Sequence, residues 1–372
     1  MPVTGALSRV AHLVAPPNTQ TTSAYALDGF SQYTIRFARI LKALGYTVLL
    51  YASEENEAPC DELIPIISKR EQATILGSGQ YQAANISAEH PLWKLSNMRA
   101  VCEIAIRKQP QDLLCLIGGL AQQPIAAAHP DLMCVEYSVG YIGSFSPYRV
   151  FQSQAWMHLT YGRQGIANGR FFDTVIPGFF DPADFPFHAD KEPFALYVGR
   201  LTNDKGITVA CQAARVAGVQ LKAIGHGDRS LVTDGAEYLG ALATAERNQW
   251  MARAQAVICP TLYVEPFNNV AVEAQFCGTP VVSSDFGGFT ETVEHGRTGF
   301  RCSYLGEFAQ ALHASTDLDP EYIRRRAERL YSLSAVAPLF RQYFDRLALL
   351  WGDGWASTSV GQIPVIHDRK SA

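Results

Sequence analysis

At 372 residues the chain exceeds what one hydrophobic core usually organises, so two domains are expected. A hydrophobic share of 48%, with 11% aromatic residues, excludes a disordered protein. A formal net charge of −4, from 31 Lys and Arg against 35 Asp and Glu, excludes a global attraction to phosphate backbones or anionic lipid, so any nucleic-acid contact must be local.

Residues 9–15 form an apolar run closed by Pro16 and Pro17. After a Thr- and Ser-rich loop, residues 29–44 carry Phe30, Tyr33, Ile35, Phe37, Ile40, Leu41 and Leu44 near helical spacing, and Gly45 stops the helix. Residues 47–51 are a second short apolar run, which completes a βαβ unit on a parallel sheet. Further strands are expected at 112–117 and 132–137, joined by a helix at 123–128, so the first half reads as a doubly wound α/β domain. Pro177, Gly178, Pro182 and Pro186 then break any regular element, which places a domain boundary at 178/179.

Alternation resumes with strands at 194–198, 220–224, 256–259 and 279–283. Helices are expected at 207–217, 244–254, 269–276, 307–314 and 320–331. Residues 179–333 therefore read as a second doubly wound domain. Residues 334–352 present Val336, Leu339, Phe340, Phe344, Leu347 and Leu350 as an apolar helix face left over once both sheets are covered, and 353–372 read as a frayed tail.

The eight cysteines form no C-x-x-C pair and sit mostly in apolar runs, as expected of buried thiols in a reducing compartment. The first residues lack the pattern of a secretory signal, and no run reaches the roughly 18 apolar residues of a membrane span. A cytoplasmic protein without stable membrane insertion is expected.

Two segments carry chemistry. Gly199, Arg200, Asp204, Lys205 and Gly206 follow a strand and open the next helix, where open parallel sheets bind ligands. Two cations beside a helix N-terminus suit a diphosphate, although the same residues also read as an ordinary surface loop. Glu265 and Glu273 lie eight positions apart, one in a loop and one a turn into a helix, so both can face one crevice and accept bonds from sugar hydroxyls. Asn268 or Asn269 is a good N-cap, which makes the N–H groups of Val270 and Ala271 phosphate-donor candidates. The plainer alternative is a dipole-stabilised Glu273 and a solvated Glu265.

These segments resemble retaining, nucleotide-sugar-dependent glycosyltransferases of family 4, with the GT-B fold. The Glu, seven residues, Glu pattern is Glu265 to Glu273, and Gly199, Arg200, Lys205 and Gly206 resemble the family's Gly-Arg…Lys-Gly segment. Gly225 and Gly227, then Tyr238 to Gly240, Gly278 to Val282, Gly287, Gly288, Glu291 and Gly296 to Phe300 follow in the family's order, so the resemblance covers residues 172–302. It implies two Rossmann-like domains facing a cleft, with the last helix returning to the first domain. It implies that Arg200 and Lys205 hold the diphosphate of a UDP- or GDP-sugar, that Glu265 holds donor-sugar hydroxyls and Glu273 the ribose, and that Leu239, Gly240 and Ala241 pass the nucleobase. Asn268 stands where the family has glycine, and asparagine tolerates the left-handed conformation.

In the first half the family's paired glycines reduce to Gly29, in a loop that begins at Pro16. The glycine- and aromatic-rich stretch 136–152 reads equally as an acceptor pocket, with Glu136, Tyr141, Tyr148 and Arg149 as candidates, or as a loop covering the core. His158 is a candidate active-site histidine, against the alternative of a packed or solvated one. No metal site is expected, because Asp317 and Asp319 read as caps before Pro320, and Arg324 to Arg326 read as a solvated helix face. The acceptor is expected to be a glycan, lipid or small-molecule hydroxyl. A hydroxymethylated pyrimidine in DNA is the alternative, with Phe145, Tyr148, Arg149, Phe151, Trp156, Tyr161, Arg163 and Arg170 offering stacking and anchoring. A nucleotide-sugar-binding protein without turnover is the rival from another class.

Overall fold

The computed structural model describes residues 9–22, 29–77 and 86–350. The loop before Gly29 falls partly outside these residues, and the tail 353–372 lies wholly outside them. Seven parallel strands form the first sheet: β1 (Val10–Val14), β2 (Thr47–Ser53), β3 (Glu62–Ile67), β4 (Leu113–Leu116), β5 (Met133–Val139), β6 (Tyr148–Phe151) and β7 (Thr174–Val175). Its helices are α1 (Gly29–Ala43), α2 (Lys69–Leu76), α3 (Pro91–Arg107), α4 (Gln123–Ala128) and α5 (Gln154–Arg163).

The second sheet has six parallel strands: β8 (Glu192–Val198), β9 (Gln220–Ile224), β10 (Glu237–Gly240), β11 (Ala254–Cys259), β12 (Val281–Ser284) and β13 (Gly299–Cys302). With it go α6 (Ile207–Ala217), α7 (Thr244–Arg253), α8 (Asn269–Phe276), α9 (Phe289–Thr292), α10 (Leu305–Ala314), α11 (Pro320–Tyr331) and α12 (Leu333–Ala348). The strand orders are β3-β2-β1-β4-β5-β6-β7 and β10-β9-β8-β11-β12-β13. Each order reverses once, between β1 and β4 and between β8 and β11, and a crevice opens outside the strand carboxyl ends at such a point.

One helix joins the two halves. α12 follows the last helix of the second domain, yet its Phe340 packs 5.0 Å from Phe37 of α1 and 5.7 Å from Phe179, while Phe37 itself stacks at 4.0 Å on Tyr137 of β5. Tyr343 Oη donates to the Phe172 carbonyl at 2.7 Å. The buried stripe is Val336, Phe340, Tyr343, Phe344 and Leu347, whereas Leu339 is 41% exposed and lies outside the expected face. Helical geometry gives the reason: 340, 343, 344 and 347 follow the i, i+3, i+4, i+7 rule from 340, with 336 one turn before, and at 100° per residue 339 falls at the edge of that stripe. Apolar burial over this face fixes the return.

Arg324 and Arg326 are not merely solvated. Arg324 Nη1 and Nη2 donate to the carbonyls of Phe185, Phe276 and Pro182, and Arg326 donates to the Thr292 carbonyl and pairs with Glu294. α11 thereby supplies donors to carbonyls in the Pro182–Phe185 turn and at the ends of α8 and α9. Asp319 does cap α11, accepting from the Glu321 N–H at 2.9 Å.

Candidate active site

A cavity of about 310 Å³ opens at the carboxyl end of the second sheet and reaches Gly29 and Gln152 of the first domain. Two glycines let its walls close. A Cβ on Gly225 would lie 1.8 Å from the Gly199 carbonyl oxygen, and one on Gly206, at φ +76°, would lie 1.9 Å from that of Pro260. Only a residue without a side chain allows such approaches. The loop from Gly199 to Gly206 is further held by Leu201 N–H donating to His226 O at 2.8 Å and by Tyr197 Oη donating to Arg200 O at 2.6 Å. Arg200 therefore has a fixed backbone and a half-exposed side chain, 3.7 Å from Asp204.

Lys205 reaches across to Glu265, donating from Nζ to Oε1, with its ammonium 5.0 Å from the centre of the Tyr263 ring. Burial, the largest single influence, opposes the lysine charge, but Glu265 and Tyr263 together outweigh it and hold the ammonium above its ordinary range. Glu265 is 4% exposed and also accepts from Tyr263 Oη at 2.9 Å and Asn268 Nδ2 at 3.2 Å. Asn268 takes the left-handed conformation at φ +65° that its place in the pattern requires, and caps α8 by accepting from the Ala271 N–H at 2.9 Å. The cap commits the Ala271 N–H, which corrects its reading as a phosphate donor; Asn269 and Val270 line the cavity at the helix mouth.

Glu273 sits a turn into α8, buried and lining the same cavity. Its Oε2 lies 3.0 Å from Arg247 Nη2 without hydrogen-bond alignment, and no donor bonds this oxygen among the described residues. A buried carboxylate oxygen with unused acceptor capacity is costly unless something supplies a donor. Arg36 Nη2 of α1 stands 3.8 Å from Oε1, so the first domain contributes a cation to a carboxylate of the second. Cys259 also lines the cavity, but burial pushes its thiol up to about 12, which leaves it protonated and unfit as a nucleophile at neutral pH.

The structure brings together Gly29, Gly199, Arg200, Lys205, Ala241, Glu265, Asn268, Asn269, Val270 and Glu273. Leu239 and Gly240 stand back from the cavity: Leu239 packs on the core, the Gly240 carbonyl accepts from Gly225 N–H at 3.0 Å, and Leu242 takes the lining position. Arg247 and Thr244 were missed because α7 reads as a covering helix. His226, between two glycines of a recognised turn, was within reach of the pattern.

The first-domain candidates fare differently. Arg149 is wholly buried in β6, and its guanidinium grips Asp173 through Nε at 3.0 Å and Nη2 at 2.5 Å, with Ser144 Oγ at 3.1 Å and Gln164 Oε1 at 3.0 Å on Nη1. Four of its five N–H donors are spent inside the fold, and the guanidinium is wholly buried. Glu136 is buried in β5 and accepts from the N–H groups of Phe145 at 2.8 Å and Ser146 at 2.7 Å and from Tyr141 Oη at 3.1 Å, so it ties the following loop rather than facing a ligand. Tyr141 packs 5.8 Å from Phe30, and Tyr148 packs 5.7 Å from Phe172. His158 is exposed on α5, and none of these five residues lines the cavity. Phe151 and Trp156, proposed to stack on an extruded base, are buried in a small core cluster. No group of three or more His, Cys, Asp or Glu that could hold a metal occurs among the described residues, and no described helix is long and apolar enough to cross a membrane.

Residues 192–316 match the family described as Glycosyl transferases group 1. The chain is similar to a glycogen synthase of Mycobacterium tuberculosis, 34% identical over 175 residues, which are 41% of this chain and 42% of that one. It is also similar to a D-inositol 3-phosphate glycosyltransferase of Pseudarthrobacter chlorophenolicus, 31% identical over 169 residues and 40% of each chain. These matches span about two fifths of the length of the curated relatives. Among solved structures, AviGT4, a glycosyltransferase involved in avilamycin A biosynthesis, superposes with a TM-score of 0.69 at 20% identity, covering 91% of this chain and 98% of that one. Sucrose-phosphate synthase from Thermosynechococcus elongatus gives 0.67 at 18% identity, covering 92% and 99%. HepE of Anabaena in complex with UDP-glucose gives 0.62 at 17% identity, covering 92% and 100%. The chain has the GT-B fold, two Rossmann-like sheets with their helices, and the part of it similar in sequence to glycosyl transferases group 1 is the second of these, at residues 192–316.

Proposed function

We propose that the chain transfers a sugar from a nucleoside-diphosphate sugar to an acceptor hydroxyl, with retention at the anomeric carbon. One observation carries this reading: a single cavity holds Arg200, Lys205 and the mouth of α8 on one side and the buried carboxylates Glu265 and Glu273 on the other. The cations and the helix end fit a diphosphate. The carboxylates fit sugar and ribose hydroxyls, with Oε2 of Glu273 as the acceptor without a bonded donor.

In this mechanism the bond from the anomeric carbon to the diphosphate oxygen breaks while the acceptor oxygen bonds to the same face of that carbon. The acceptor proton passes to the departing phosphate oxygen. Lys205 and Arg200 neutralise the charge that grows there, which is where fixed cations lower a barrier most. Glu265, held by Lys205, Tyr263 and Asn268, orients the donor sugar. No protein nucleophile is required, in keeping with the protonated Cys259.

A UDP-sugar is the first donor to try, since HepE was solved with UDP-glucose. A glycan, lipid or small-molecule hydroxyl is the preferred acceptor, because Arg149, Phe151 and Trp156, the anchor and two of the rings that argued for DNA, are buried, while Arg163 and Arg170 stay exposed. The test is a panel of UDP- and GDP-sugars scored by rise in melting temperature. Transfer to mixed acceptors is then followed by NMR of the new anomeric centre, with and without EDTA. Retained configuration and insensitivity to EDTA are expected. Failure of every nucleotide sugar to bind, or binding without turnover on any acceptor, would overturn the transferase reading; an inverted product would overturn retention.

A further inference from the structure

The joint between the domains passes through the donor-side helix. Tyr33 of α1 donates from Oη to Asn269 Oδ1 at 2.7 Å, across 236 residues of sequence, and so holds the first residue of α8. One turn on, Arg36 reaches the Glu273 carboxylate at 3.8 Å. The guanidinium lies 4.3 Å from the ring centre of Phe180, in the segment between the two sheets. That segment is fixed in turn, since Phe180 N–H donates to Tyr331 O and Phe180 O accepts from Leu333 N–H, both at 2.9 Å, at the junction of α11 and α12. Gly178 makes room for this arrangement, because a Cβ there would lie 2.4 Å from Tyr33 Oη and 2.6 Å from Phe267 Cε1.

Arg36 is not fully used. Its Nη1 is buried with no hydrogen-bond acceptor among the described residues, and its pair with Glu273 stands ~1 Å outside the 2.7–2.9 Å of a charge-assisted hydrogen bond. Glu273 in turn has Oε2 without a bonded donor. Arg149, by contrast, spends four of its five N–H donors on Asp173, Ser144 and Gln164. Arg253 and Arg301 each leave Nε unbonded too, but they pair with Glu192 and Asp285, away from Glu273. Arg36 and Glu273 are instead both incompletely bonded, and they face each other across the domain joint.

We infer that Arg36, supported by Tyr33, is a positioning residue that sets the Glu273 carboxylate from the opposite domain, so that the ribose of the donor is read only when the joint is engaged. This rests on the proposed function, in which Glu273 accepts from ribose hydroxyls. It makes recognition of the nucleoside a property of both domains, although the nucleotide contacts are carried by the second.

Calorimetric binding to the full chain tests it, using UDP or GDP, whichever the wild type binds, with the corresponding 2′-deoxy and 3′-deoxy nucleotides. The wild type is expected to prefer the ribonucleotide over at least one deoxy form. Arg36→Gln should weaken the ribonucleotide about tenfold, the worth of one charge-assisted bond. It should leave that deoxy form within about twofold, so the preference collapses. Arg36→Lys should restore part of it, and Tyr33→Phe should erode it in the same direction. Equal losses on all nucleotides would reveal a general structural role and overturn the inference. So would an Arg36→Gln protein that still discriminates, or a wild type that binds the nucleotide without discriminating. If the wild type binds neither UDP nor GDP, the proposed function itself fails, a result distinct from these.

Discussion

Replacing Lys205 by methionine keeps the length of the side chain and removes its charge. The site then loses the cation proposed to neutralise the leaving group, and Glu265 loses its charged partner while keeping Tyr263 Oη at 2.9 Å and Asn268 Nδ2 at 3.2 Å. Loss of one preorganised donor to a developing charge costs about 2–4 kcal/mol of barrier, so turnover should fall about 30- to 1,000-fold. Breaking a buried ion pair from one side costs about 3–5 kcal/mol of stability, and the surviving neutral donors, with Thr261 Oγ1 at 3.4 Å as a third, should reduce this to about 2–3 kcal/mol. The double substitution Lys205→Met with Glu265→Gln removes the stranded charge, so it should regain stability and not activity. Urea titration reads the first quantity and steady-state transfer the second. A Lys205→Met protein within threefold of wild-type turnover, or a double variant that recovers activity with stability, would refute the assignment.

Glu273→Ala should raise the donor KM about tenfold or more while changing kcat little, because ribose hydroxyls are bound alike in ground and transition states; initial-rate kinetics check this split. Burial raises the Glu136 carboxyl to about 7 from its ordinary 4.5, so the native state holds that proton where the unfolded chain has released it. Its contribution to stability should therefore fall as pH rises from 4.5 to 7 and level off above, and Glu136→Gln should remove that slope in melting curves taken across the range. Truncation before Leu333 should expose Phe37 and Phe179, now covered by Phe340, and give an insoluble chain; a soluble, active product would show that α12 is dispensable.

Local pattern was enough for the framework. The period of apolar residues placed α1, β2, α4, α6 and α8, because a helix or strand that buries one face must repeat its apolar residues at a fixed interval. Spacing also brought Lys205, Glu265 and Glu273 to one cavity, since a loop residue and another a turn into the next helix converge wherever the strand before them ends. α3 escaped notice, because its buried face mixes Leu92, Trp93, Ala100 and Ile104 with Ser96 and Asn97, so no clean apolar stripe exists.

What composition and spacing left open was which polar side chains turn inward. Arg149 and Glu136 carry the same residue types as a ligand pocket, and a sequence gives no sign that Asp173 or the N–H groups of Phe145 and Ser146 will consume them. The same holds for Arg36, whose partner Glu273 is remote in the chain and near because α12, the Phe180 segment and the Tyr33–Asn269 bond draw the two domains together. Periodicity is a property of neighbours a few residues apart, so the sequence by itself determined the four central strands of each sheet and the donor-side motif, and left the outer strands β3, β6, β7, β10 and β13 unread. Whether a buried charge meets a partner or a ligand depends on contacts made across long stretches of chain, and only the tertiary structure decided that.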